Sequence, residues 1–224
     1  MLNLPKNVWI LTASLAIFMS LSVFILFVGG IIGSNLAPIK SLSTLPVATI
    51  VVGTAFSIIP AIRLMEIFGR KKVFLSSCFY TIALLGLCIV SITFELFYLF
   101  CFASFALGGS AAVMHQFRFA AIESVELELR PKATALVLLG GLFSAFLGTE
   151  IATLGKDYFE TDFAGSFLLL ASLFIIAFIL MCFFKPAEKF KQQIDKSKRT
   201  LIQIIKQHSF IVAVSAATTG YVVM

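Results

Sequence analysis

The sequence predicts an all-α integral membrane protein, a bundle of six spanning helices followed by the start of a seventh. Three observations predict it. Hydrophobic residues make up 60% of the 224 and charged residues 12%, with a mean hydropathy of +1.05; a soluble domain of this size cannot hide that much apolar surface. The apolar residues gather in runs of about 20, the length at which a helix crosses the hydrocarbon core. The charged residues sit in the breaks between those runs, as they do in membrane proteins. That placement also argues against nucleic-acid binding as the meaning of the +6 net charge. Strong period-two alternation is absent, and helices satisfy their own backbone in lipid, so a barrel is not expected.

The elements follow in order. Six segments are long enough to span: 8–29, 42–64, 73–94, 96–118, 132–154 and 163–184. Lys6 precedes a first run longer than a signal-peptide core and without an Ala-x-Ala-like exit, so this span is read as uncleaved. The first outer loop, 29–41, is glycine-rich and carries only Lys40 as a charge. The turn between spans three and four is little more than Glu95, which makes them an antiparallel hairpin. Span five opens on Pro131, whose missing N–H would be unpaired there anyway. The seventh run starts near Ser209 and reaches Met224 after about 16 residues, short for a span. Between them, 185–207 is the one long polar stretch. Ile194, Leu201, Ile202 and Ile205 form a helical stripe there, so it reads either as a basic amphipathic helix on an anionic leaflet or as a solvated linker. The chain thus divides into a bundle (1–184), a basic cytoplasmic linker (185–207) and the start of span seven (208–224).

With the N-terminus cytoplasmic, 15 of the 17 Lys and Arg residues fall on the inner side, and only Lys40 and Lys156 fall outside. That bias sets the expected topology. Cys78, Cys88, Cys101 and Cys182 lie within apolar runs and lack zinc or redox spacing. With two histidines, His115 and His208, and no P-loop, HExxH or GxSxG pattern, no metal, cofactor or catalytic residue is expected. The 25 Phe are read as packing and lipid-facing residues.

Polar residues inside spans are the candidate functional ones. Ser104, Gly108, Ala111, His115 and Arg118 recur at steps of four and three, so one helix carries them on one face. Such a face belongs toward the bundle interior or a wet cavity. That makes Ser104, His115, Gln116 and Arg118 candidates for a substrate cavity or for coupling. The structural alternative is that Arg118 snorkels to the headgroups and His115 bonds a neighbouring helix. Glu150 lies near the outer end of span five, as a solvated interfacial acid or an ion site. Ser144 and Gly148 form a small-x-x-x-small pair suited to close helix approach.

The most distinctive segment is Pro60–Lys72, a short basic interruption between spans two and three. It holds Glu66, then Gly69, where a tight reversal favours a residue without a Cβ, then Arg70, Lys71 and Lys72. An ordinary positive-inside loop would explain the basic triplet alone. The spacing of Leu64, Glu66, Gly69, Arg70 and Lys71 resembles the signature G-x-L-x-D-R-x-G-R-[KR] of the major facilitator superfamily, found at this same loop. Glu66 replaces the Asp, and Ile62 and Ile67 depart from the pattern.

This resemblance implies a six-helix half built from two inverted three-helix repeats, and transport of a small solute by alternating access. It implies that Glu66, Arg70 and Glu123, positioned by Gly69, form a charge cluster that latches the outward-facing state. It also implies that spans one and four line the central cavity. Ser104 stands where many proton-coupled members carry Arg, and Thr149 replaces the Pro of the antiporter signature. The run Gln116–Ser124 followed by Gly140-Gly141 resembles a bacterial subgroup with riboflavin-uptake members. The partners implied are a small-molecule substrate, the lipid bilayer of the bacterial inner membrane, and a C-terminal half or second chain. A non-transporting membrane scaffold is the rival reading.

Overall fold

The computed structural model describes residues 5–159, 161–186 and 207–223. Helix α1 runs over Lys6–Leu36, α2 over Leu45–Phe68, α3 over Arg70–Thr93, α4 over Phe97–Met114 and α5 over Phe117–Glu123. Helix α6 covers Arg130–Leu154, α7 Ala164–Phe183 and α8 His208–Val223, with short 3-10 turns at Lys40–Leu42 and Leu127–Leu129. Six of these segments, with α4 and α5 counted as one, are long and apolar enough to cross a membrane. The protein is a multi-pass all-α membrane bundle, and no strand occurs among the described residues. The chain forms two compact units, 1–186 and 187–224. In the second unit α8 has 16 residues, about 24 Å of helix, shorter than the hydrocarbon core. The predicted amphipathic stripe at 194–205 lies outside the described residues.

Two long helix pairs hold the bundle together, α1 with α6 and α2 with α4. Both rest on glycine. A Cβ on Gly53 or Gly108 would collide with the facing backbone of α4 or α2. A Cβ on Gly140 would lie 2.6 Å from the Thr12 carbonyl oxygen, and one on Gly148 would lie 2.8 Å from Val23 Cβ. Without side chains at these points the backbones come close and gain dispersion contacts, which drive association where lipid is as apolar as the protein.

The same packing reveals the internal repeat. Exchanging spans one, two and three for four, five and six turns the α1·α6 pair into the α4·α2 pair and leaves α3·α7 unchanged. The buried positions of α2 are Pro46, Ile50, Gly53, Ala61 and Met65. At one constant offset they fall on Ala133, Val137, Gly140, Gly148 and Ala152, all buried on α6. Three helices per unit is an odd number, so the two units run through the membrane in opposite senses.

Three boundaries depart from expectation. Helix α1 continues past residue 29 to Leu36, so the loop after span one is much shorter than 29–41. Gly29 packs against Val47 and Pro46, and Gly33 lies against the Ser43 carbonyl, so contact with the chain entering α2 offsets the weak helix propensity of glycine. The interruption between spans two and three shrinks to Gly69, because α2 runs to Phe68 and α3 starts at Arg70. Span four is not one helix: it breaks at His115–Gln116 and resumes as α5. Arg118 therefore does not share an unbroken helical face with Ser104 and Gly108.

The Glu95 turn is as short as expected. Glu95 adopts φ 55, the Leu96 N–H donates to the Ser91 carbonyl at 2.8 Å, and the Glu95 N–H donates to that of Ile92 at 3.1 Å. These paired bonds form a Schellman motif with Glu in the left-handed position usually held by Gly.

Candidate functional site

Gly69 sets the geometry at the Pro60–Lys72 segment. Its φ of 82 and ψ of 152 lie in a region that is essentially glycine-only. This reversal lets α2 end and α3 begin within one residue, and it sends three consecutive cations in three directions. The Arg70 guanidinium turns inward, 8% exposed, and Nη2 donates to Glu123 Oε1 at 2.7 Å. Its Nη1 donates to the Gln116 carbonyl at 3.4 Å. Gln116 and Glu123 bracket α5 seven residues apart, two turns along one face, so Arg70 clasps this short helix at both ends. Lys71 Nζ donates to the Cys182 carbonyl at 2.7 Å and so satisfies an orphan acceptor in the last turn of α7. Lys72 is exposed.

Beneath the clasp lies an aromatic cluster. Phe117 meets Phe18 edge-on at 5.0 Å and Phe74 at 4.5 Å, and Phe18 meets Phe174 at 4.9 Å. Four helices (α1, α3, α5 and α7) thus join through these rings, each ring pair contributing about 1 kcal/mol beyond its buried area. Phe74 is one turn after Arg70, and Phe117 follows Gln116 directly.

The structure unites two members of the expected charge trio. Glu66 is exposed and makes no hydrogen bond or ion pair among the described residues. The span-four candidates do not converge on one pocket. Ser104 is fully buried and its Oγ has no hydrogen-bond partner among the described residues. His115 is exposed at the helix break. Gln116 contributes its backbone carbonyl to the Arg70 clasp, and the exposed Arg118 lies 5.1 Å from the centre of the Phe119 ring. Glu150 is exposed in the penultimate turn of α6, its carbonyl accepting from Thr153 Oγ1 at 3.0 Å.

Asn7 was not a sequence candidate. Its Nδ2 donates to the Lys185 carbonyl at 2.6 Å, and its Oδ1 accepts from the Lys185 N–H at 3.2 Å. This reciprocal pair ties the start of α1 to the exit from α7. Asparagine at a helix start is common enough that its spacing carries no signal.

The sequence profile of the Major Facilitator Superfamily matches residues 10–224. The chain belongs to the major facilitator superfamily. Among curated relatives, this superfamily chain is similar to the riboflavin transporter RfnT of Brucella anthropi (strain ATCC 49188 and its equivalents), at 29% identity over 223 residues. That alignment covers 98% of the chain and 56% of the relative, so the chain spans little more than half the relative's length. No solved structure gives a significant match. The superfamily assignment agrees with the signature at Leu64–Lys71 and with the paired three-helix units.

Proposed function

We propose that the chain forms the first six-helix half of a secondary transporter that carries a small solute by alternating access, with the Arg70–Glu123 pair as a conformational latch. The observation that carries this reading is the clasp itself. A largely buried guanidinium joins the start of α3 to both ends of a helix that follows a break in a spanning segment. A partly desolvated charge pair in such a place biases a two-state equilibrium by about 1 kcal/mol, because it holds α3 and α5 in the arrangement that braces against a second bundle in one of the two states.

In this reading Gly69 sets the latch geometry, and the exposed Glu66 is left to meet a second bundle. His115, Gln116 and Arg118 stand at the helix break, next to the solute path. Ser104, buried in this conformation, shapes the packing beside it. Glu150 acts as an interfacial acid at the opposite end of the bundle. A second bundle, from further chain or another polypeptide, closes the cavity. In this reading the membrane is a bacterial inner membrane and the latch faces the cytoplasm, the side that the Lys and Arg bias favours. The relative's name supplies riboflavin as the first substrate to test.

Uptake of labelled riboflavin into liposomes carrying the complete gene product tests the proposal. Saturable flux, lowered at least several-fold by Arg70→Gln, is expected. No flux of riboflavin or of other small solutes would overturn transport in favour of a membrane scaffold.

A further inference from the structure

Beside the latch, α2, α3 and the floor supplied by α4 enclose a groove of about 340 Å³. Pro60 and Leu64 line it from α2, Val73, Ser76 and Tyr80 from α3. Its floor is Gly109, where a Cβ would come within 3.3 Å of the Tyr80 ring and 3.6 Å of Ser57 Oγ. Any larger residue there would narrow the groove. Tyr80 is fixed across it, its hydroxyl donating to the Ala106 carbonyl at 2.8 Å.

The direction in which the groove opens can be read from exposure. Pro60, Leu64 and Ser76 are exposed, whereas Ala61 and Ser77 on the same two helices are buried. Arg63 lies one turn beyond Pro60, and Lys72 one turn before Ser76, so both follow the open side. Both are exposed, at the Gly69 end of the bundle. Of the basic triplet, Lys72 is the member that neither the latch nor the α7 terminus uses.

We propose that this groove binds an anionic phospholipid, its phosphate between Arg63 and Lys72 and one acyl chain along the Tyr80 ring toward Gly109. Two cations near a headgroup plane attract an anionic lipid, and the stems of both side chains cover apolar surface at the same time. Ser76 sits four residues deeper than Lys72, about 6 Å along the helix, the depth of the glycerol esters. The groove then turns apolar, as a chain requires. The lipid would brace α2 against α3 across Gly69, on the face opposite the Arg70 clasp. The inference needs only that the bundle spans a membrane, so its test does not depend on solute transport.

Native mass spectrometry of the full chain in detergent, titrated with dioleoylphosphatidylglycerol or dioleoylphosphatidylcholine, tests it. The anionic lipid should be retained in preference. Arg63→Gln with Lys72→Gln should weaken its binding roughly 30-fold, as expected for two interfacial cations. Ser76→Phe, which fills the groove from an exposed position and leaves both charges in place, should also weaken it. Arg130→Gln with Lys132→Gln, a basic pair elsewhere, should leave it within about twofold. Equal retention of both lipids, or equal losses from the two charge-pair variants, would overturn the site in favour of diffuse attraction.

Discussion

Replacing Glu123 by Gln removes an anion that the Arg70 guanidinium contacts at 2.7 Å, and that cation is 8% exposed. The loss of one partner of a fully buried pair costs roughly 3–5 kcal/mol. Glu123 is 26% exposed, so water softens the loss and we expect about 1–2 kcal/mol. Thermal unfolding of Glu123→Gln, Arg70→Gln and the double variant should give a coupling of about 1 kcal/mol. Additive losses would deny the pair a role. Gly69→Ala should cost roughly 1–3 kcal/mol through backbone strain alone, since nothing lies within 4 Å of the added Cβ. A wild-type melting temperature in that variant would mean that the reversal relaxes without penalty. The contact of Arg70 with Glu123 was legible because the spacing of Arg70 from Gly69 and Glu66 forms a signature. Those of Lys71 and Asn7 were not, because each serves the end of a helix more than 100 residues away.

At the scale of the elements, the spans were legible because lipid as a solvent demands long apolar runs. Their ends were not, because tertiary contacts decide them. Gly29 and Gly33 read as loop residues, yet contact with residues 43–47 keeps α1 helical through them. Nothing in the composition of His115–Gln116 marks a helix break. The Glu95 turn shows the reverse case: its brevity was legible, its strain was not. A non-glycine residue in the left-handed region costs about 1–2 kcal/mol, so Glu95→Gly should raise the melting temperature by a few degrees. Gly108→Ala should lower it, with a loss of about 1–3 kcal/mol, because the added carbon meets the α2 backbone rather than the end of a side chain. If Gly108→Ala were neutral, the close α2·α4 approach would not be a source of stability.

For the whole molecule, two repeat units pack through equivalent helix pairs, and α2 and α6 keep wide apolar faces outward. Phe56 and Ile59 on α2, and Phe143 and Phe146 on α6, are each more than 60% exposed. Lipid or a second bundle can cover such faces. The chain covers 56% of RfnT; under the proposed function a second bundle would cover part of these faces, and the proposed latch would brace against it. Releasing the latch should shift the population toward the state open at the Gly69 end.

The most direct measurement is thiol labelling in membranes of the complete gene product, with Cys182→Ser to remove the exposed native thiol and His115→Cys as the reporter. A membrane-impermeant maleimide applied from the latch face should react several-fold faster when Glu123→Gln is added. An unchanged rate from that face would contradict the latch.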